Sequence, residues 1–217
     1  MPVKLSSTGG GSVTLTTPST ASDFTATFPA NTGNVVTDSA TQTLTNKTLT
    51  SPTITGASIS AMASSVITSG TSVTASGTSV DFTGIPSWAK RVTVMFSGLS
   101  SNGASNYQIQ AGTSGGVVAT GYLGASADGP TLTATLFTTG IGIRTASAAA
   151  VVHGAVVFNN VTGNTWTASG SLARSDGAAF ISTAGSITLS GTLDRIRITT
   201  VNGTDTFDAG SINILYE

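Results

Sequence analysis

Few side chains in this chain are equipped for chemistry, and their spacing restricts what that chemistry could be. The single histidine, His153, lies in Ala150-Val151-Val152-His153-Gly154-Ala155-Val156-Val157. A Ser/His/Asp triad would have to use it. Its place in an apolar strand pattern instead reads as a hydrogen-bonded core or interface residue. No G-x-S-x-G elbow, P-loop or H-E-x-x-H motif occurs. Glycoside hydrolysis needs two placed carboxyl groups. Asp176, Asp194, Asp205 and Asp208 are available, but the only glutamate is Glu217. Asp205 and Asp208 offer too few oxygens for Ca²⁺, which takes about six to eight. The absence of cysteine excludes disulfides, thiolate catalysis and cysteine-ligated zinc. These residues predict a non-enzymatic protein with no cofactor and no metal.

Binding chemistry is better represented. Trp88 and Trp166 are large enough to stack on sugar rings. Trp88 follows a proline turn and precedes a strand, which predicts a plug at the end of a sandwich. Trp166 follows the polar loop Asn159-Asn160-Val161-Thr162-Gly163-Asn164, which predicts exposure beside Asn164. Tyr107 stands next to Ser101-Asn102-Gly103-Ala104-Ser105-Asn106, so Asn102 and Asn106 join it as candidates. Arg174 and Asp176 fall in another expected loop, 173–177. Loops at the end of a rigid sandwich are where ligand contacts collect. Arg195 and Arg197 share one strand face opposite Ile196 and Ile198, which suits ion pairing with carboxylates or, alternatively, contact with acidic sugars.

The elements that must position these groups follow from composition. Of 217 residues, 8 are Lys or Arg and 9 are Asp or Glu, so 8% are charged where about 25% is usual. Thr numbers 40 and Ser 30, and β-branched Thr suits pleated, half-buried surfaces. A net charge of −1 leaves no electrostatic footprint for nucleic acid or an anionic membrane. No apolar run approaches the ~20 residues of a membrane span, and Met1-Pro2-Val3-Lys4-Leu5 begins no signal-peptide pattern. A chain with so little charge can cover much of its surface with copies of itself. An oligomer is expected.

The grammar changes near residue 80. Residues 1–80 carry four charges (Lys4, Asp23, Asp38, Lys47) and two aromatics, Phe24 and Phe28; both tryptophans and the remaining aromatics lie beyond. Alternation predicts strands over 12–16 and 24–28, and a short one over 35–37. Leu44, Leu49, Ile54 and Ile59 recur every five positions. That period fits neither helix nor sheet and suits an extended chain winding with two others about a shared axis. Residues 1–56 are thus expected to be an extended Thr-rich stem. Residues 57–78 read as a Ser/Thr/Ala/Gly linker, with a short helix near 61–66. From 79 to 217 the pattern is short strands parted by Gly/Ser/Asn clusters: 79–83, 91–97, 107–110, 117–123, 131–137, 141–145, 149–158, 166–172, 179–182, 186–189, 194–201 and 211–216. The uniformly apolar 149–158 should be central. An all-β chain ending in a jelly-roll-like β-sandwich follows.

Specific segments add a resemblance. Thr41-Gln42-Thr43-Leu44-Thr45-Asn46-Lys47-Thr48-Leu49-Thr50-Ser51-Pro52 resembles the N-terminal segment of bacteriophage tail-fibre and virion appendage proteins. The stretch from Gly11 to Ala30 is similar to the module preceding it in such proteins. Ile85-Pro86-Ser87-Trp88-Ala89-Lys90-Arg91, Gly121-Tyr122-Leu123-Gly124 and Phe207-Asp208-Ala209-Gly210-Ser211-Ile212-Asn213 resemble small phage structural proteins. The resemblance implies a homotrimer on the virion, docked to other virion proteins through residues 1–56 and presenting the sandwich to host-surface glycan. A capsid decoration or head-fibre protein on the outer shell is the alternative.

Overall fold

The structure, a computed structural model, describes residues 3–6, 8–9, 12–15, 48, 50, 67–129 and 133–217. The chain separates into two compact units, 1–58 and 59–217. In the first, strand β1 (Val3–Ser6) pairs antiparallel with β2 (Ser12–Leu15), Val3 opposite Leu15. The expected strands over 24–28 and 35–37, the five-residue repeat and the short helix near 61–66 lie outside the described residues.

The second unit is built of antiparallel strands alone among its described residues: β3 (Thr68–Ser69), β4 (Val73–Thr74), β5 (Ser79–Thr83), β6 (Arg91–Ser101), β7 (Tyr107–Thr113), β8 (Gly116–Val117), β9 (Leu123–Asp128), β10 (Thr133–Phe137), β11 (Ile141–Ile143), β12 (Val152–Thr162), β13 (Thr165–Arg174), β14 (Ala179–Thr188), β15 (Arg195–Thr200) and β16 (Phe207–Tyr216). Among these residues no helix is long and apolar enough to cross a membrane. The larger sheet runs β10-β9-β14-β13-β12-β6-β16-β3, with β4 also on β16; the smaller runs β11-β7-β15-β5, with β8 on β7. The expected central strand, β12, is indeed flanked on both sides, by β13 and β6.

The two sheets face each other across one apolar layer. Ile109, Ile196 and Ile198 of the smaller sheet join Val94, Phe158 and Ile212 of the larger in a single buried cluster. The fold is therefore an all-β, two-sheet sandwich, as strand spacing and alternation predict. Strand β15 shows the logic: Ile196 and Ile198 point inward while Arg195 and Arg197 stand on the other face. Each fully buried Ile or Phe contributes about 1.5–3 kcal/mol.

A line of bulges crosses the middle of the larger sheet. In β6, Val92, Val94 and Phe96 point inward by alternation, but so do Leu99 and Ser101, which have the opposite parity. Gly98, at φ +69°, absorbs the extra residue. The pairing of β6 with both β12 and β16 shifts register beside it, at Gly154 (φ +124°) and Gly210 (φ +94°). A β-bulge resets which residues face the core, and glycine reaches these dihedrals without a Cβ clash.

Three expectations are corrected. Residues 117–123 are not one strand: β8 and β9 belong to different sheets, and the chain crosses between them at Gly121 (φ +83°). Tyr122 anchors the crossing, its hydroxyl accepting from Ala111 N (2.7 Å) and donating to Val118 O (2.9 Å). Conversely, the expected strands 179–182 and 186–189 are joined, Leu189 apart, in the single strand β14. Gly185 marks no turn there: a side chain on it would meet Leu123 O and Ile141 Cδ1 at 2.9 Å, so it permits close packing. Finally, part of the expected linker 57–78 lies against the sheet. β3 and β4 pair with β16, Ala75 N donates to Gly210 O (2.9 Å), and Ala75 is buried.

The bulge line gives the first prediction. A Cβ at Gly210 would lie 2.4 Å from Gly98 O, on top of the strained φ, whereas Gly203 (φ +68°) has nothing within 4 Å. Gly210→Ala should cost about 2–4 kcal/mol and Gly203→Ala about 1 kcal/mol. Urea unfolding midpoints of the two variants measure the difference.

Candidate functional site

The loops 102–106, 145–151, 175–178 and 201–206 collect at the Ser101 end of β6, and five expected ligand residues sit there. Their polar atoms hold the loops together. Asn102 Oδ1 accepts from Thr206 N (2.9 Å). Asn106 Oδ1 accepts from both Thr145 N and Ala146 N (2.9 Å each), clamping a turn in which Ala146 takes φ +45°. Arg174 donates to both Asp176 oxygens (3.1 and 2.5 Å) and to Thr145 O (3.1 Å), and Asp176 also accepts from Val151 N (3.0 Å). Asp128 lies 3.9 Å from Arg174 and is paired with Arg144, which extends the charged chain across the end of the sandwich.

Tyr107 corrects the expectation outright. It is fully buried, edge-on to Phe207 at 5.5 Å, with its hydroxyl 3.5 Å from Ala150 O. Burial pushes its phenol above the usual value. Trp166 is also buried, 4% exposed, so it offers no stacking face. Tyr107 begins β7 and Trp166 is second in β13, and their alternating partners Ile109 and Ala168 point into the core.

The remaining polar candidates have partners. His153 Nδ1 accepts from Gly98 N (3.2 Å), so the ring proton resides on Nε2, which faces Ser175 Oγ at 3.0 Å. A triad would require Nδ1–H to donate to a carboxylate, and this histidine lacks that arrangement. It is the hydrogen-bonded residue its strand context predicts. Arg197 pairs with Asp81 through two contacts of 2.7 Å, which raise the guanidinium's pKa, and Arg195 pairs with Asp194 at 3.1 Å. Asp205 accepts from Asn202 Nδ2 (2.7 Å) and Ser105 N (3.0 Å), while Asp208 accepts from Ser100. The two carboxylates thus turn to different neighbours.

The open surface is at the opposite end. The ten residues of β13 separate Arg174 from Trp166 and Asn164 by roughly 30 Å, so the expected ligand residues form no single site. At the Trp166 end a pocket of about 80 Å³ is lined by Ala89, Asn160, Asn164, Trp166 and Thr192. A wider groove of about 490 Å³ continues past Thr113, Ser114, Ser190, Thr192 and Asp194. Ile85, Ser87, Thr192 and Leu193 line both. Trp88, between lining residues Ser87 and Ala89, is 49% exposed and tilts on Tyr216 at 5.8 Å. It does not plug the sandwich. The signal for this groove was present in the sequence: the runs Thr113-Ser114-Gly115 and Ser190-Gly191-Thr192 place small hydroxyls in turns. The groove can form neutral hydrogen bonds; its charged lining is Asp194, with Lys90 in the adjoining smaller pocket.

The charged end yields a pH-dependent prediction. Hydrogen bonds from Arg174, aided by Val151 N–H, hold the Asp176 carboxyl below its ordinary 3.8 despite some desolvation. The folded state therefore favours the ionised form. Its stabilisation is fully present above about pH 4 and is lost as pH falls through the lowered value. Asp176→Asn should cost up to about 1 kcal/mol at pH 7, and the gap to the parent should narrow below about pH 4. Thermal midpoints between neutral and acid pH provide the check.

No family model, curated protein or solved structure matches the chain.

Proposed function

We propose that the chain is a non-enzymatic structural protein of a bacteriophage virion, a tail-fibre or appendage subunit that displays the sandwich for adhesion to host-surface glycan. The observation that carries the adhesion reading is the groove at the Trp166 end. Its hydroxyl lining suits sugar hydroxyls, its volume falls within the ordinary range for ligand sites, and the half-exposed Trp88 follows its lining residue Ser87 in the chain. With one lining carboxylate, the groove favours binding over glycoside hydrolysis, which uses a pair. The N-terminal resemblance supports placement on the virion, with residues 1–56 docking to other virion proteins. Three copies on one stem would convert weak single sites into firm attachment through effective concentration.

The test is retention of the purified full chain on host cells. Trp88→Ala and Thr192→Arg alter half-exposed or groove-lining positions, so both variants should fold. Each should reduce retention at least several-fold. Equal retention of parent and both variants, or none by the parent, would overturn the groove as an adhesion site.

A further inference from the structure

The outer face of the larger sheet is unlike the surface of a free-standing domain. Burial alternates along its strands, so the residues facing away from the core can be read in rows across the registered strands. One row runs Leu136, Ala125, Ala184, Ser169, Val157, Thr93 from β10 to β6. The next runs Ala134, Ala127, Ser182, Ser171, Ala155, Met95. Neither row contains an ionisable side chain. Beyond these rows, the ionisable side chains on this face are Arg91, paired with Glu217, and Asp208, bonded to Ser100, at its corners, and His153, opposite Ala173 and bonded to Gly98 N and Ser175.

The face also has relief. Leu123, Leu136 and Phe180 stand 74%, 82% and 78% exposed on β9, β10 and β14. They surround a floor of small side chains, Ala125, Ala127, Ser182 and Ala184. Large exposed apolar groups clustered on one sheet face mark an interaction surface.

We propose that this face is an interface between copies of the chain, two copies packing their larger sheets together so that the Leu123, Leu136 and Phe180 of each fill the other's Ala/Ser hollow. Projections and hollow share one surface, as a two-fold, self-complementary contact requires. The uncharged rows bring no like charges together. Seven strands from β10 to β16 span roughly 30 Å by 25 Å, on the order of 750 Å², close to the ~800 Å² per partner of a stable interface. Aligned packing of two sheets at about 10 Å is the geometry such a face supports. The contact is separate from the stem association proposed for residues 1–56 and does not depend on the adhesion reading.

The chain has no cysteine, so a single introduced thiol reports on one position. Ala184→Cys places it in the Ala/Ser hollow of the face and Thr204→Cys in an exposed loop at the end of the sandwich. Each full-length variant is treated with a bulky maleimide across a wide range of protein concentration. The Ala184→Cys thiol should be protected at least ten-fold at high concentration and become reactive on dilution, with Thr204→Cys reactive throughout. Ala184→Glu with Ser169→Glu should lower the mass by light scattering while leaving the circular dichroism spectrum unchanged. Reactivity of Ala184→Cys at every concentration overturns the proposal. So does protection that persists on dilution, which would mean that the chain covers its own face.

Discussion

Burial of a single apolar layer between two sheets is the constraint on which the rest of this structure depends. Its components are modest: Ile109, Ile196 and Ile198 on one side, Val94, Phe158 and Ile212 on the other, all essentially inaccessible. At about 1.5–3 kcal/mol each, such residues must all find the core for the fold to hold. The long strands of the sandwich therefore commit one face inward, and the bulge at Gly98 lets Leu99 do so after Phe96. Polar groups capable of recognition are left to the outer faces and to the loops at the two ends. At one end those loops are bound to each other by Asn102, Asn106, Arg174 and Asp176. At the other they leave a groove.

The legible part of the fold is the part governed by alternation. Arg91 to Phe96 and Asp194 to Thr200 announce their inward faces, and the apolar run before Phe158 announces a strand with neighbours on both sides. Alternation also contained the answer for the two residues most at odds with expectation. Trp166 shares parity with Ala168 and Leu172, and Tyr107 with Ile109 and Ala111, so both belong inside. Their polar neighbouring loops suggested exposure, but a side chain's direction is set by its own strand. Trp88 lies in a turn and has no strand parity to read. Other features had no local signal: Gly185 serves close packing rather than a turn, and β3 and β4 are held to β16 by backbone bonds that side-chain pattern does not encode.

Low charge has structural consequences beyond solubility. All five arginines are committed to carboxylates, Arg91 to Glu217, Arg144 to Asp128, Arg174 to Asp176, Arg195 to Asp194 and Arg197 to Asp81. The exposed pairs, of Arg91 and of Arg197, contribute little stability, about 0–1 kcal/mol each, while the Arg144 and Arg174 pairs are largely buried; together they leave no guanidinium unpaired for recognising an anion. Among the described residues, what remains for recognition is mostly neutral, hydroxyls, amides, an exposed indole and a broad face of alanine, serine and threonine, with Lys90 beside the pocket as the exception. Those are the chemistries of sugar binding and of contact between like subunits, and the proposed roles use one each.

The virion assignment is the central claim, and immunogold electron microscopy of intact particles tests it most directly, using an antibody raised against residues 79–217. The account predicts gold at the tail of the particles. Particles without label would contradict a virion protein altogether, and label spread over the head would replace the appendage with a shell decoration.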